Sequence, residues 1–122
     1  MESGRLISVI DDDDSMRRAV VALVRSAGYD ARGYESAEEF LEAVDTLIFG
    51  CIITDIQMPG LSGIELKHHL TARQNQTPVI MITAREDPSL EQQALASGAV
   101  CFLRKPFQAE EFIACLEEAL RT

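Results

Sequence analysis

The amino-acid sequence predicts an α/β fold: a strand followed by a helix, five times over, closing into a doubly wound parallel sheet with helices on both faces. Two observations predict it. Apolar runs of four or five residues, rich in Ile and Val and bounded by Asp, Gly, Pro or Lys, recur at 6–10, 51–54, 79–82 and 100–103. Continuous runs of that length suit strands buried on both faces. Between them lie segments with the helical apolar period and short connections, an alternation that implies right-handed crossovers in a three-layer α/β/α arrangement.

The first strand, Leu6–Ile10, leads into Asp11-Asp12-Asp13-Asp14, where Asp14 is expected to cap a helix ahead of Ser15. Met16, Val20, Leu23, Val24 and Ala27 then form one helical stripe, with Arg17, Arg18 and Arg25 on the other side, and Gly28 supplies the stop. A weaker strand at 31–34 is polar enough for a sheet edge. Ser36 and Glu39 make a capping box before the stripe Ala37, Phe40, Leu41 and Val44. A third helix is predicted over 65–73. Asp87-Pro88 opens a fourth, a capping residue followed by proline in the first turn, and Gly98 closes it. The last helix, 109–120, should bury Phe112, Ile113, Leu116 and Leu120 and expose Glu110, Glu111, Glu117 and Glu118.

A chain of 122 residues, read as the single domain 1–122, can bury about two-thirds of its unfolded surface. With 47% hydrophobic and 25% charged residues it can build a core, which excludes a disordered tail. No apolar run approaches the roughly 18 residues that span a bilayer, and residues 1–14 lack the basic-then-apolar layout of a leader. A cytoplasmic protein without a membrane partner is expected. The net charge of −9 argues against direct binding of nucleic-acid phosphates, which needs a basic patch. Cys51, Cys101 and Cys115, in apolar contexts and without metal spacing, are expected to be reduced, buried thiols.

In parallel α/β sheets ligands bind beyond the carboxyl ends of the strands. After the first run comes Asp11-Asp12, after the third Asp55, after the fourth Thr83, and after the fifth Lys105-Pro106. Carboxylates gathered in a small space repel, and a hard divalent cation relieves that repulsion through oxygen ligands. Mg²⁺ suits such a site best, because it keeps waters that a phosphate can displace. A lysine and a hydroxyl opposite it would cradle the oxygens of a phosphoryl group.

The motifs VIDDDDSMRR, IITDIQMPGLSGIEL, PVIMITA and GAVCFLRKPF resemble the receiver (CheY-like) domain of bacterial two-component response regulators, over nearly the whole chain. The resemblance implies a flavodoxin-like fold with strand order 2-1-3-4-5. It implies that Asp55 accepts a phosphoryl group from a phosphohistidine on a histidine kinase or phosphotransfer protein. Asp11, Asp12, Asp55 and the backbone carbonyl of Gln57 would hold Mg²⁺, with Mn²⁺ able to substitute. Lys105 and Thr83 would hold the phosphoryl group. Thr83 and Phe102 would form the switch, and the peptide before Pro106 would be cis. Gln57 and Arg85 would flank the path of the water that hydrolyses the acyl phosphate. The output would be a changed face on the fourth helix, fifth strand and fifth helix, open to phosphorylation-dependent homodimerisation. On this reading the chain is a phospho-acceptor regulator and catalyses only its own phosphorylation and dephosphorylation.

Two other functions fit the residues less well. A haloacid-dehalogenase-type phosphatase also places Asp-x-Asp after its first strand, as Asp11 and Asp13 stand here, but Lys105 leads into Pro106-Phe107 without the later acidic pair. A phosphorylation-independent interaction module would have no use for Asp55, Thr83 and Lys105 together. His68 and His69 point about 100° apart on a helix and form no ligand pair. An EF-hand fails because Met16 stands where glycine is needed.

Overall fold

Residues 6–121 are described by the structure, a computed structural model. The elements alternate as expected: β1 (Leu6–Ile10), α1 (Asp14–Ser26), β2 (Asp30–Tyr34), α2 (Ala37–Ala43), β3 (Cys51–Asp55), α3 (Gly63–Ala72), β4 (Val79–Thr83), α4 (Pro88–Ala96), β5 (Cys101–Arg104) and α5 (Ala109–Arg121). The strands form one parallel sheet in the order β2-β1-β3-β4-β5. The stretch 1–5, part of the segment read for a leader, lies outside the described residues. Among the described residues no helix is long and apolar enough to cross a membrane.

Successive strand residues serve opposite cores, because side chains alternate across a sheet. Ile10, Ile52, Val79 and Met81 pack with Phe40 of α2, Leu66 and Leu70 of α3, and Leu90 and Ala94 of α4. Ile7, Val9, Ile53, Ile80, Ile82 and Leu103 pack with Val20 and Val24 of α1 and with Phe112, Leu116 and Ala119 of α5. Burial on both faces is why these strands read as continuous apolar runs. β2, at the edge, buries only Ala31 and Tyr34 and leaves Asp30, Arg32 and Gly33 exposed, which weakens its apolar signal.

The caps refine the boundaries. Asp13, not Asp14, caps α1, its Oδ1 accepting from the Met16 N–H at 3.1 Å. The helix thereby starts with Asp14 inside its first turn, where a negative charge meets the helix dipole. α3 begins at Gly63, two residues earlier than predicted, because Ser62 and Glu65 form a reciprocal capping box. Ser36 accepts from the Glu39 N–H as expected, but the Glu39 carboxylate accepts from Glu35 rather than from the cap residue. Asp87 caps α4 with Pro88 in its first turn, and Gly28 and Gly98 follow their helices at φ 97° and 107°. In α5 the buried positions are Phe112, Cys115, Leu116 and Ala119, while Ile113 and Leu120 are only partly covered.

The cysteine expectation is corrected. Cys51 is free and buried, but Cys101 and Cys115 form a disulfide with their Cα atoms 6.1 Å apart. Cys101 opens β5 on the face that α5 covers, and Cys115 lies on the buried side of α5. Only the packing of that helix onto that strand brings the two sulfurs together.

Candidate functional site

The run of four aspartates is divided by the local backbone. Asp11 follows β1 and is buried, with its Oδ1 accepting from the Asp13 N–H at 2.9 Å. Asp12 is exposed, Asp13 caps α1, and Asp14 pairs with Arg17 and with Arg18, the latter at 3.0 Å. Arg17, expected on the outer side of α1, instead folds back and donates to the Asp11 backbone carbonyl at 2.9 Å. It thus fixes the turn that aims Asp11 inward.

The other residues stand where neighbouring strands end in register. Asp55 closes β3 opposite Ile82, and Thr83 closes β4 opposite Arg104 of β5. Lys105 follows β5, its backbone N–H donating to the Thr83 carbonyl at 2.8 Å, and the Lys105–Pro106 peptide is cis. The Lys105 Nζ lies 3.3 Å from Asp11 Oδ2 and 3.6 Å from Asp55 Oδ2. Thr83 is fully buried, and its Oγ1 accepts from the Arg85 N–H at 3.1 Å. Phe102 lies back from the carboxylates, half-buried and paired in register with Met81. Gln57 and Arg85 are exposed at the rim, and His68 and His69 lie on the exposed face of α3.

Burial pushes the Asp55 carboxyl up to about 6, with Lys105 pulling it down and Asp11 pushing it further up. Asp11, Asp12 and Asp55 each offer an oxygen, and these atoms lie within 4.8 Å of one another. Three carboxylates that close, one of them reluctant to ionise, form a donor set that fits a hard divalent cation, and Mg²⁺ in particular.

Two supports went unread in the sequence. Gly63 sits directly under Asp55: a Cβ there would lie 2.6 Å from the Asp55 backbone oxygen and 3.1 Å from Thr54 Cγ2. Glu38 of α2 reaches across to the loop after β3, its Oε2 accepting from the Leu61 N–H at 2.9 Å beside Gly60, whose φ is +76°. The spacing of Gly60 and Gly63 after Asp55 was the available signal. We expect Gly63→Ala to cost about 1–3 kcal/mol in urea unfolding, because the clash is with backbone that cannot swing aside.

The family profile of the response regulator receiver domain matches residues 7–117. The transcriptional regulatory protein FixJ of Bradyrhizobium diazoefficiens is 42% identical over 115 residues, covering 94% of this chain and 56% of that protein. The response regulator protein TmoT of Ectopseudomonas mendocina is 34% identical, covering 95% of this chain and 53% of its own length. The chain thus spans about half the length of these curated relatives. Among solved structures, full-length FixJ from B. japonicum superposes with a TM-score of 0.89 at 41% identity, over 95% of this chain and 57% of that one. The chemotaxis protein CheY4 of Vibrio cholerae superposes at 0.84 with 31% identity, over 94% and 98% of the two chains.

Proposed function

The chain belongs to the response regulator receiver domain family, and from that premise we propose that it is a phospho-acceptor switch in which Asp55 carries the phosphoryl group. The observation that carries the reading is the meeting of Asp55 with Lys105 at 3.6 Å in a pocket also walled by Asp11 and Asp12. An Asp55 carboxylate oxygen attacks phosphorus of a phosphohistidine on a histidine kinase or phosphotransfer protein. The O–P bond forms as the N–P bond breaks, and the imidazole leaves with the electron pair and a proton. Lys105 balances charge on the phosphoryl oxygens, and Thr83 turns its hydroxyl from the Arg85 N–H toward them. Mg²⁺, or Mn²⁺ in its place, would be held by Asp11, Asp12, Asp55 and the Gln57 carbonyl, and supplies charge neutralisation between carboxylates and phosphate.

The relay runs outward from Thr83. Its movement opens space that Phe102 fills from its half-buried position, and the change reaches the α4-β5-α5 face, where phosphorylation would promote pairing of two copies. The domain so read occupies 1–122, works in the cytoplasm, and turns over no substrate besides its own acyl phosphate.

Intact mass after incubation with acetyl phosphate and Mg²⁺ tests the assignment. One phosphoryl adduct is expected, lost with EDTA and absent from Asp55→Asn. An adduct that survives in Asp55→Asn would overturn it, and no adduct with any donor would favour the phosphorylation-independent interaction module. The rim carries a further expectation: a Gln57→Ala/Arg85→Ala double variant changes the rate at which the adduct decays, followed by mass over time. An unchanged decay would remove both side chains from the path of the hydrolytic water.

A further inference from the structure

We propose that the Cys101–Cys115 bond is a reversible redox latch on the segment that relays phosphorylation, opened by a small dithiol; the proposal rests on the phospho-acceptor reading above. The bond joins residues 14 apart in sequence and so closes a covalent ring. Inside that ring lie Phe102, the switch aromatic, and Lys105, whose ammonium faces Asp11 and Asp55 at 3.3 and 3.6 Å.

β5 is an edge strand, hydrogen-bonded within the sheet to β4 alone. Its covalent tie to α5 is therefore a second hold on the strand. The latch acts on the part of the relay that moves the backbone carrying Phe102 and Lys105, that is, on displacement of β5 against α5. A bond between Cα atoms 6.1 Å apart limits that shift. Disulfides in a reducing cytoplasm are usually transient or redox-sensing rather than structural.

The third cysteine does not compete. Cys51 is fully buried in β3, where burial pushes its thiol up to about 12, so that it stays protonated near neutral pH. Cys101 is half-buried and Cys115 buried, so Cys101 is the sulfur an incoming thiolate meets. That thiolate attacks Cys101 Sγ, the S–S bond breaks, and Cys115 leaves as a thiolate and takes up a proton. The second thiol of the reductant then displaces Cys101 from the mixed disulfide. Two electrons and two protons have passed to the protein, and the dithiol has become a cyclic disulfide.

The test poises the protein in mixtures of reduced and oxidised dithiothreitol, then counts free thiols by alkylation under denaturing conditions and mass. Oxidised protein, reduced protein and a Cys101→Ser/Cys115→Ser variant are each given acetyl phosphate with Mg²⁺. Amide exchange across β5 and α5 is then compared with and without beryllium fluoride. All three forms are expected to take the adduct. The exchange response should be several-fold smaller in the oxidised form than in the other two. Equal responses with the adduct present, or no bridged species in oxidised dithiothreitol, would overturn the latch alone. Absence of adduct in every form, with acetyl phosphate and with a phosphohistidine donor alike, would overturn the phospho-acceptor reading, and the latch with it.

Discussion

An Asp55→Asn variant is expected to be more stable than the parent at pH 7 by about 1–3 kcal/mol in metal-free buffer, while losing all phosphoryl uptake. Burial raises the Asp55 carboxyl from its ordinary 3.8 to about 6, with Lys105 only partly opposing. The folded state therefore holds that proton more tightly than the unfolded state. Stability falls as pH rises from about 4 to about 6, and above that window the cost of the buried charge is fully present. Asparagine keeps the shape and removes the charge. Urea unfolding of both proteins at pH 7 and pH 4 is the measurement, and the gain should shrink toward zero at the lower pH. A gain that persists there would mean that Asp55 strains the site by something other than its charge.

Lys105→Met is expected to slow phosphoryl uptake from acetyl phosphate by about 10²–10³-fold, the loss typical of one donor aimed at developing charge. Methionine retains most of the aliphatic stem, so the packing around a side chain only 13% exposed is kept. The ammonium now 3.3 Å from Asp11 and 3.6 Å from Asp55 would be gone, leaving three carboxylates unopposed. Mg²⁺ should consequently bind more tightly while the transfer itself slows. Calorimetric titration beside mass-based uptake rates separates these opposite effects. Weaker Mg²⁺ binding together with slow transfer would point to a collapsed pocket rather than to a missing charge.

Much of this arrangement was legible beforehand because it follows from local rules. Ile and Val runs such as 79–82 identify strands covered on both faces, and a parallel sheet places its working residues at their ends. Asp55, Thr83 and Lys105 were found that way, and the flavodoxin-like order came with the resemblance. What stayed hidden depends on how elements meet. Arg17 lies on the polar side of its own helix, yet the turn at Asp11 offers it a carbonyl at 2.9 Å that no periodicity reveals. Asp13 and Asp14 are chemically equivalent caps, and only the backbone of Asp13, extended at φ −85° and ψ 114°, decides between them. Cys101 and Cys115 meet only after α5 has folded back onto the strand that precedes it. Glu38 and Leu61, 23 residues apart, are joined across a loop in the same way.

The order of the strands has a consequence for self-association. A sheet with β2 and β5 at its margins offers two rows of backbone groups to any other extended chain, the usual starting point of aggregation. Both margins are blunted. β2 carries Asp30 and Arg32, and at Gly33 the stem of Arg17 lies so close that a Cβ would come within 3.1 Å of it. β5 is only four residues long, ends in the exposed Arg104, and runs through Lys105 into Pro106, which has no N–H to offer. A stacked copy extending either margin would have to strip water from these charges, so the sheet ends at five strands.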